Sequence, residues 1–184
     1  MTSYSIQVTK RENIAGGKVN ALRAQGYIPG IIYGPAIEAN IPVAVKAADV
    51  RALLREADTD CILVNVDCDG LKCLALIKDV QRNFLTDSTV HVDFLAVTPE
   101  TVVRTKVYLK LNGTPVGVAT GGQTNQIIYE IPVKCAVKDI PAAIEADITP
   151  LALNESLRLS QITLPAGVTT PFNGTVVLAS VVKP

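Results

Sequence analysis

Gly26-Tyr27-Ile28-Pro29-Gly30-Ile31-Ile32-Tyr33-Gly34-Pro35 is the stretch on which the fold turns. Its apolar run, Gly30-Ile31-Ile32-Tyr33, is too short for a helix, rich in β-branched residues, and closed by a Gly-Pro pair. Those features predict a buried strand. Upstream, residues 18–25 read as a short helix stopped by Gly26, after a loop at 12–17 that flexes at Gly16-Gly17. Residues 4–9 alternate, with Tyr4, Ile6 and Val8 on one side of a strand.

Downstream, residues 41–46 form another strand, and residues 47–57 a helix with Val50, Leu53 and Leu54 on one face. Residues 61–66 and 71–78 are two strands joined by Asp67-Cys68-Asp69-Gly70, where Asp-Gly is a hairpin signal. Residues 89–97 add a further strand. Short strands at this spacing point to a closed barrel or a sandwich. Thr98-Pro99-Glu100 separates domains at 1–97 and 98–184. The second domain reads as all β, with strands at 101–111, 127–137, 143–148 and 174–182, punctuated by prolines and bent at Gly121-Gly122. The expectation is a mainly β protein: a six-stranded barrel with short helices, then a C-terminal β domain.

The formal charge is zero, 17 basic against 17 acidic residues, which excludes a protein coated in positive charge. Distribution tells more. Residues 1–34 hold Lys10, Arg11, Lys18 and Arg23 against Glu12, a balance of 4 − 1 = +3. Residues 35–94 balance at 6 − 10 = −4, and residues 95–184 at 7 − 6 = +1. Only the first segment is distinctly basic. The N-terminus has no apolar run behind a basic start, and no window has the length of a membrane span. Cys61, Cys68, Cys73 and Cys135 form no C-x-x-C pair, and His91 is the single histidine, so no zinc site is expected. Reduced cytosolic thiols are the default expectation. In that setting Asn112-Gly-Thr, Asn154-Glu-Ser and Asn173-Gly-Thr are chance matches to the glycosylation pattern.

Catalytic patterns are missing. No Gly-x-Ser-x-Gly elbow accompanies His91, and the glycines at 113, 117, 121 and 122 lack the Gly-Lys-Ser/Thr of a phosphate loop. They read as turns. Asp67 and Asp69 are too few for a cation cage. No enzyme and no cofactor are expected. His91 and Asp93, at i and i+2, share one strand face. They are either a pair that touches a ligand or a strand histidine satisfied by local hydrogen bonds. Lys18 opens a helix on which Arg23 lies five residues on. These are either grips on one phosphate backbone or a solvated helix face.

Leu22-Arg23, then Gly26 to Gly34, resembles the start of the bacterial ribosomal protein L twenty-five family, which includes the general stress protein Ctc. Lys78-Asp79-Val80-Gln81-Arg82 and His91-Val92-Asp93-Phe94 resemble its second and third signatures. Gly113-x-x-x-Gly117, Gly121-Gly122, Asp139-Ile140-Pro141, Leu164-Pro165 and Gly167-Val168 are similar to the second domain of its long members. The resemblance covers essentially the whole chain, in order. It implies an N-terminal barrel that binds the loop E region of 5S ribosomal RNA within the central protuberance, beside other large-subunit proteins, in the cytoplasm. It implies RNA contacts at Arg11, Lys18, Arg23, Tyr33, Lys78, Gln81, His91 and Asp93. It implies no membrane partner, and a monomer is expected off the ribosome. The family's helix usually opens with a small or hydroxyl residue and a cluster of arginines. Here that stretch is Lys18-Val19-Asn20-Ala21, so a shallower salt dependence is expected. The alternative is a stress protein that joins ribosomes conditionally or binds a protein partner. A module related by fold to the anticodon-binding part of glutaminyl-tRNA synthetase is a third reading, against which the missing nucleotide motifs count.

Overall fold

A computed structural model describes residues 4–11, 17–56, 61–68, 70–86 and 88–183. The chain divides into two compact units, Met1–Thr101 and Val102–Pro184.

The first unit is a closed barrel of β1 (Tyr4–Lys10), β2 (Tyr27–Tyr33), β3 (Ile41–Lys46), β4 (Leu63–Cys68), β5 (Leu71–Asn83) and β6 (Ser88–Ala96), in the order β1-β3-β2-β6-β5-β4. Parallel pairing of β1 with β4 closes it, and a second parallel pair joins β2 to β6. Closure leaves no strand edge unpaired around the ring. Helix α1 (Gly17–Ala24) precedes β2, and α2 (Ala47–Glu56) follows β3 directly. Gly26 takes a positive φ of 82° after α1, the conformation a helix stop requires.

Alternation fills the interior. Ile28 and Ile32 of β2, Val43 and Val45 of β3, Val64 and Val66 of β4, and Val92 and Phe94 of β6 are buried. Val50 and Leu53 join this core from α2. Phe94 is fully buried, and Gly30 on the neighbouring strand lets the β2 and β6 backbones approach closely. A Cβ at Gly30 would lie 2.7 Å from the Val92 carbonyl oxygen and 3.5 Å from the Phe94 ring. The glycine in the decisive stretch is therefore a packing requirement.

Two bulges interrupt the β5–β6 ladder. The register steps from Ile77↔Phe94 to Asp79↔Asp93, so Lys78 is an extra residue in β5. It then steps from Gln81↔His91 to Arg82↔Thr89, so Val90 is an extra residue in β6. A bulge shifts the in-out phase of its strand. Ile77 points inward, yet Asp79 pairs with outward Asp93, and Val80 returns to pack on the core. The strand predicted to end at 78 thus runs on to Asn83.

The second unit holds two three-stranded sheets. One has the order β10-β7-β9, with β7 (Val102–Asn112), β9 (Glu130–Ala136) and β10 (Ala143–Asp147). The other has the order β11-β12-β8, with β8 (Gln123–Gln126), β11 (Ser156–Arg158) and β12 (Val177–Val182). Val107, Ile131, Val133, Ile144, Leu178 and Val181 are buried here. A single helical turn, α3 (Val116–Ala119), interrupts the strands. The sequence reading leaves α3, β8 and β11 unassigned and starts the β9 strand early, at 127. Ile127 and Tyr129 are in fact exposed.

Candidate nucleic-acid interface

The outward positions of β2, β6 and β5 form one continuous surface, with neighbouring strands about 4.8 Å apart. Register fixes its rows. Ile31, Asp93 and Asp79 share one row, because Ile31 pairs with Asp93 and Asp93 with Asp79. The adjoining row holds His91 and Gln81, which face each other directly. Tyr33, paired with Leu95, lies one row beyond Ile31 on the same side. The structure thus brings Tyr33, Gln81, His91 and Asp93 onto one barrel face.

Asp79 joins them and was not singled out in the sequence. Its neighbours Lys78 and Gln81 were, but strict alternation from Ile77 turns Asp79 inward. Only the bulge at Lys78 turns it out.

His91 Nδ1 lies 2.7 Å from Asp93 Oδ1, and the two side chains are 29% and 27% exposed. Nδ1–H donates to the carboxylate, which leaves Nε2 of a neutral ring as an acceptor. The geometry shows the local hydrogen bond that one of the two sequence readings expects. The local hydrogen bond orients the imidazole, and the partial exposure keeps it accessible. The Tyr33 phenol is pushed above its ordinary pKa, first by burial, then by Asp93 and Asp79. It remains a neutral O–H donor and acceptor at physiological pH. Together these groups offer hydrogen bonds of both senses to base edges and hydroxyls. The paired carboxylates repel phosphate from the same spot.

The basic candidates lie elsewhere. Arg23, near the end of α1, donates from Nη2 to the Val90 carbonyl (3.1 Å) and from Nη1 to Asn20 Oδ1 (3.2 Å). Val90 is the extra residue of the β6 bulge, which turns its carbonyl toward the helix. Arg23 is exposed despite these bonds, and so stays available at the margin of the polar face. Lys78, the other bulge residue, is exposed beside Asp79. Arg11 follows β1, its backbone N–H donating to the Pro42 carbonyl (2.8 Å). Its Nε is buried and has no hydrogen-bond partner among the described residues. Pro42 pairs with Ile31, so Arg11 continues the Ile31–Asp93 row two strands away. The Lys18 side chain, Glu12 and Asp69 lie outside the described residues.

Among the described residues no group of His, Cys, Asp and Glu could hold a metal ion. No helix among the described residues is long and apolar enough to cross a membrane. Cys61, Cys68, Cys73 and Cys135 form no disulfide among the described residues, and burial raises the pKa of Cys73.

Comparison with known proteins matches both units. The profile of the Ribosomal L25p family covers residues 6–94, and that of the Ribosomal protein TL5 C-terminal domain covers residues 102–184. The chain is 42% identical over 183 residues to the Large ribosomal subunit protein bL25 of Akkermansia muciniphila, spanning 100% of this chain and 90% of that one. It is 34% identical over 172 residues to the protein of that name from Geobacter sulfurreducens, spanning 91% and 87%. With the one from Moorella thermoacetica it shares 33% over 185 residues, spanning 99% and 88%.

Proposed function

The chain belongs to the Ribosomal L25p family, whose members are structural proteins of the large ribosomal subunit and not enzymes, and from that we propose that it holds the loop E region of 5S ribosomal RNA on the outer face of β2, β6 and β5. The observation that carries this reading is the convergence of Tyr33, Gln81, His91 and Asp93 on one rigid surface, with Arg23 at its margin. A-form RNA presents its 2′-hydroxyls and base edges in a wide, shallow minor groove. A slightly curved sheet bearing donors and acceptors fits such a groove. Gln81 both donates and accepts, His91 Nε2 accepts, and Asp79 and Asp93 accept from amino or hydroxyl groups. Arg23 and Lys78 supply charge for flanking phosphates, which position the RNA without reading sequence. Arg11 and Lys18 extend that grip. The place of work is the cytoplasmic ribosome, beside other large-subunit proteins.

The test is a gel-shift titration of the full chain against 5S ribosomal RNA and an unrelated hairpin of equal length, at two salt concentrations. Selective, salt-sensitive binding to 5S RNA is expected. Equal affinity for both RNAs would remove this reading and favour conditional association through a protein partner.

A further inference from the structure

Arg51 and Arg55 of α2 and Arg82 of β5, with Leu54, Thr86 and Thr89, line a cavity of about 460 Å³ beside the β5–β6 hairpin. Arg51 and Arg55 stand one helical turn apart and so emerge on the same side of α2. Arg82 pairs across the ladder with Thr89. No acidic side chain lines the cavity among the described residues. None of the three guanidinium groups makes a hydrogen bond or ion pair with a described residue. Three guanidinium groups around one open volume repel one another, and an anion among them relieves that repulsion.

We propose that this cavity holds a backbone phosphate of an RNA strand, as a second anchor outside the polar face. The inference rests on the RNA-binding reading above and extends its footprint. Guanidinium forks match phosphate oxygens bidentately, and the Thr86 and Thr89 hydroxyls add neutral donors. Continuity with the proposed face supports the assignment. Arg82 directly follows Gln81, and Thr89 precedes Val90, whose carbonyl Arg23 holds. Successive residues of a strand face opposite ways, so Gln81 faces outward while Arg82 turns to the α2 side of β5, and an RNA strand that passes the end of the β5–β6 hairpin meets the cavity just beyond the Gln81–His91 row. Phe84, two residues from both Arg82 and Thr86, is 100% exposed. An exposed aromatic beside a basic site is a stacking platform for an unpaired base. The sum of charges over residues 35–94, which is acidic, hides this cluster.

The experiment titrates 5S RNA into the full-length wild type and the R51Q/R55Q, R51K/R55K and H91A variants, at several salt concentrations, with circular dichroism as the fold control. R51Q/R55Q is expected to lose roughly ten-fold in affinity at low salt, and its salt slope to fall by about one unit, the value for one phosphate contact. R51K/R55K, which keeps both charges, is expected to recover the slope. A wild-type affinity and slope in R51Q/R55Q, with binding weakened in H91A, would overturn this inference and leave the polar-face reading standing. An acidic protein segment would then be the class that fits the cavity. A wild type without selectivity for 5S RNA would overturn both. Should R51Q/R55Q fail to fold, R82Q carries the same test with a smaller fall in slope, of less than about one unit.

Discussion

On the β2–β6–β5 face of the barrel, polar side chains from separate strands converge with hydrogen-bonding capacity left over, whereas in the C-terminal unit polar side chains are spent on their own turns or on fastening one strand to the next, as Asn112 does with Glu145 (3.0 Å). Gln81 faces His91 from the next strand, and Arg23 reaches Val90, 67 residues away in sequence. In the second unit, Asp147 Oδ1 accepts from both the Thr149 amide (2.9 Å) and hydroxyl (2.5 Å). Glu155 accepts from the Ala152 amide (2.8 Å), and Gln161 from the Arg158 amide (2.7 Å). These bonds fasten turns. The exposed Lys106–Glu130 pair (3.1 Å) staples a ladder and contributes little in water. The difference teaches where to look for function. A polar residue that satisfies its own loop has a structural task. One that joins others across a rigid sheet, with capacity left over, can meet a ligand.

The largest expected effect separates the two cores. Phe94→Ala empties the centre of the barrel and should destabilise it by about 3–5 kcal/mol, taking 5S RNA binding with it. Leu178→Ala should destabilise the second unit by about 2–5 kcal/mol yet leave RNA affinity near the wild-type value. Urea denaturation with parallel gel shifts checks both. Loss of RNA binding in L178A would break the division drawn above.

His91→Ala is next in size. It removes an outward side chain and should leave the barrel's unfolding midpoint within about 0.5 kcal/mol of wild type. Affinity for 5S RNA should fall roughly ten-fold, the value of one to two lost hydrogen bonds. A barrel that unfolds instead would assign His91 a purely structural task.

Thr149→Val tests the C-terminal side of the comparison. The Thr149 hydroxyl, and then its amide, hold the Asp147 carboxyl below the usual carboxylate range. A depressed folded-state pKa contributes stability above the unfolded pKa, and that contribution is lost as pH falls through the folded value. The variant should therefore be less stable than wild type at neutral pH, and the two should converge in acid. A difference that persists unchanged below the folded pKa would exclude this linkage. RNA binding should not change.

The smallest effect sharpens the barrel side. Asp79→Asn removes one of the two carboxylates that raise the Tyr33 phenol. Ultraviolet titration should show Tyr33 ionising at lower pH, by a part of the shift only, since burial is the larger cause. No change would mean Asp79 does not look onto the same face.

The barrel was legible wherever local chemistry and global pairing agree. Gly26 ends a helix with positive φ, Gly70 takes a φ of 95° at the β4–β5 turn, and apolar residues of β2, β3 and β6 alternate inward as their sequence dictates. The illegible parts depend on long-range pairing. Gln123–Gln126 and Ser156–Arg158 are polar and become strands because each pairs with Val177–Val182. The bulge at Lys78 resets the phase of β5, which concealed Asp79. The sequence resemblance singled out Tyr33, Gln81, His91 and Asp93 as expected RNA contacts, and register shows that they share one face. Segment charge could not reveal Arg51, Arg55 and Arg82, because α2 and the β5–β6 hairpin meet only in three dimensions.

The most direct measurement maps backbone amide signals of the isotope-labelled full chain as a loop E fragment of 5S RNA is added. The account predicts that the shifts concentrate on Tyr33, Asp79, Gln81, His91 and Asp93. Ser5, Gln7, Asn65 and Lys72, around the β1–β4–β5 side of the barrel, and Asp147 and Thr149 of the second unit should stay in place. Shifts centred on the β1–β4–β5 side or on the second unit would contradict it.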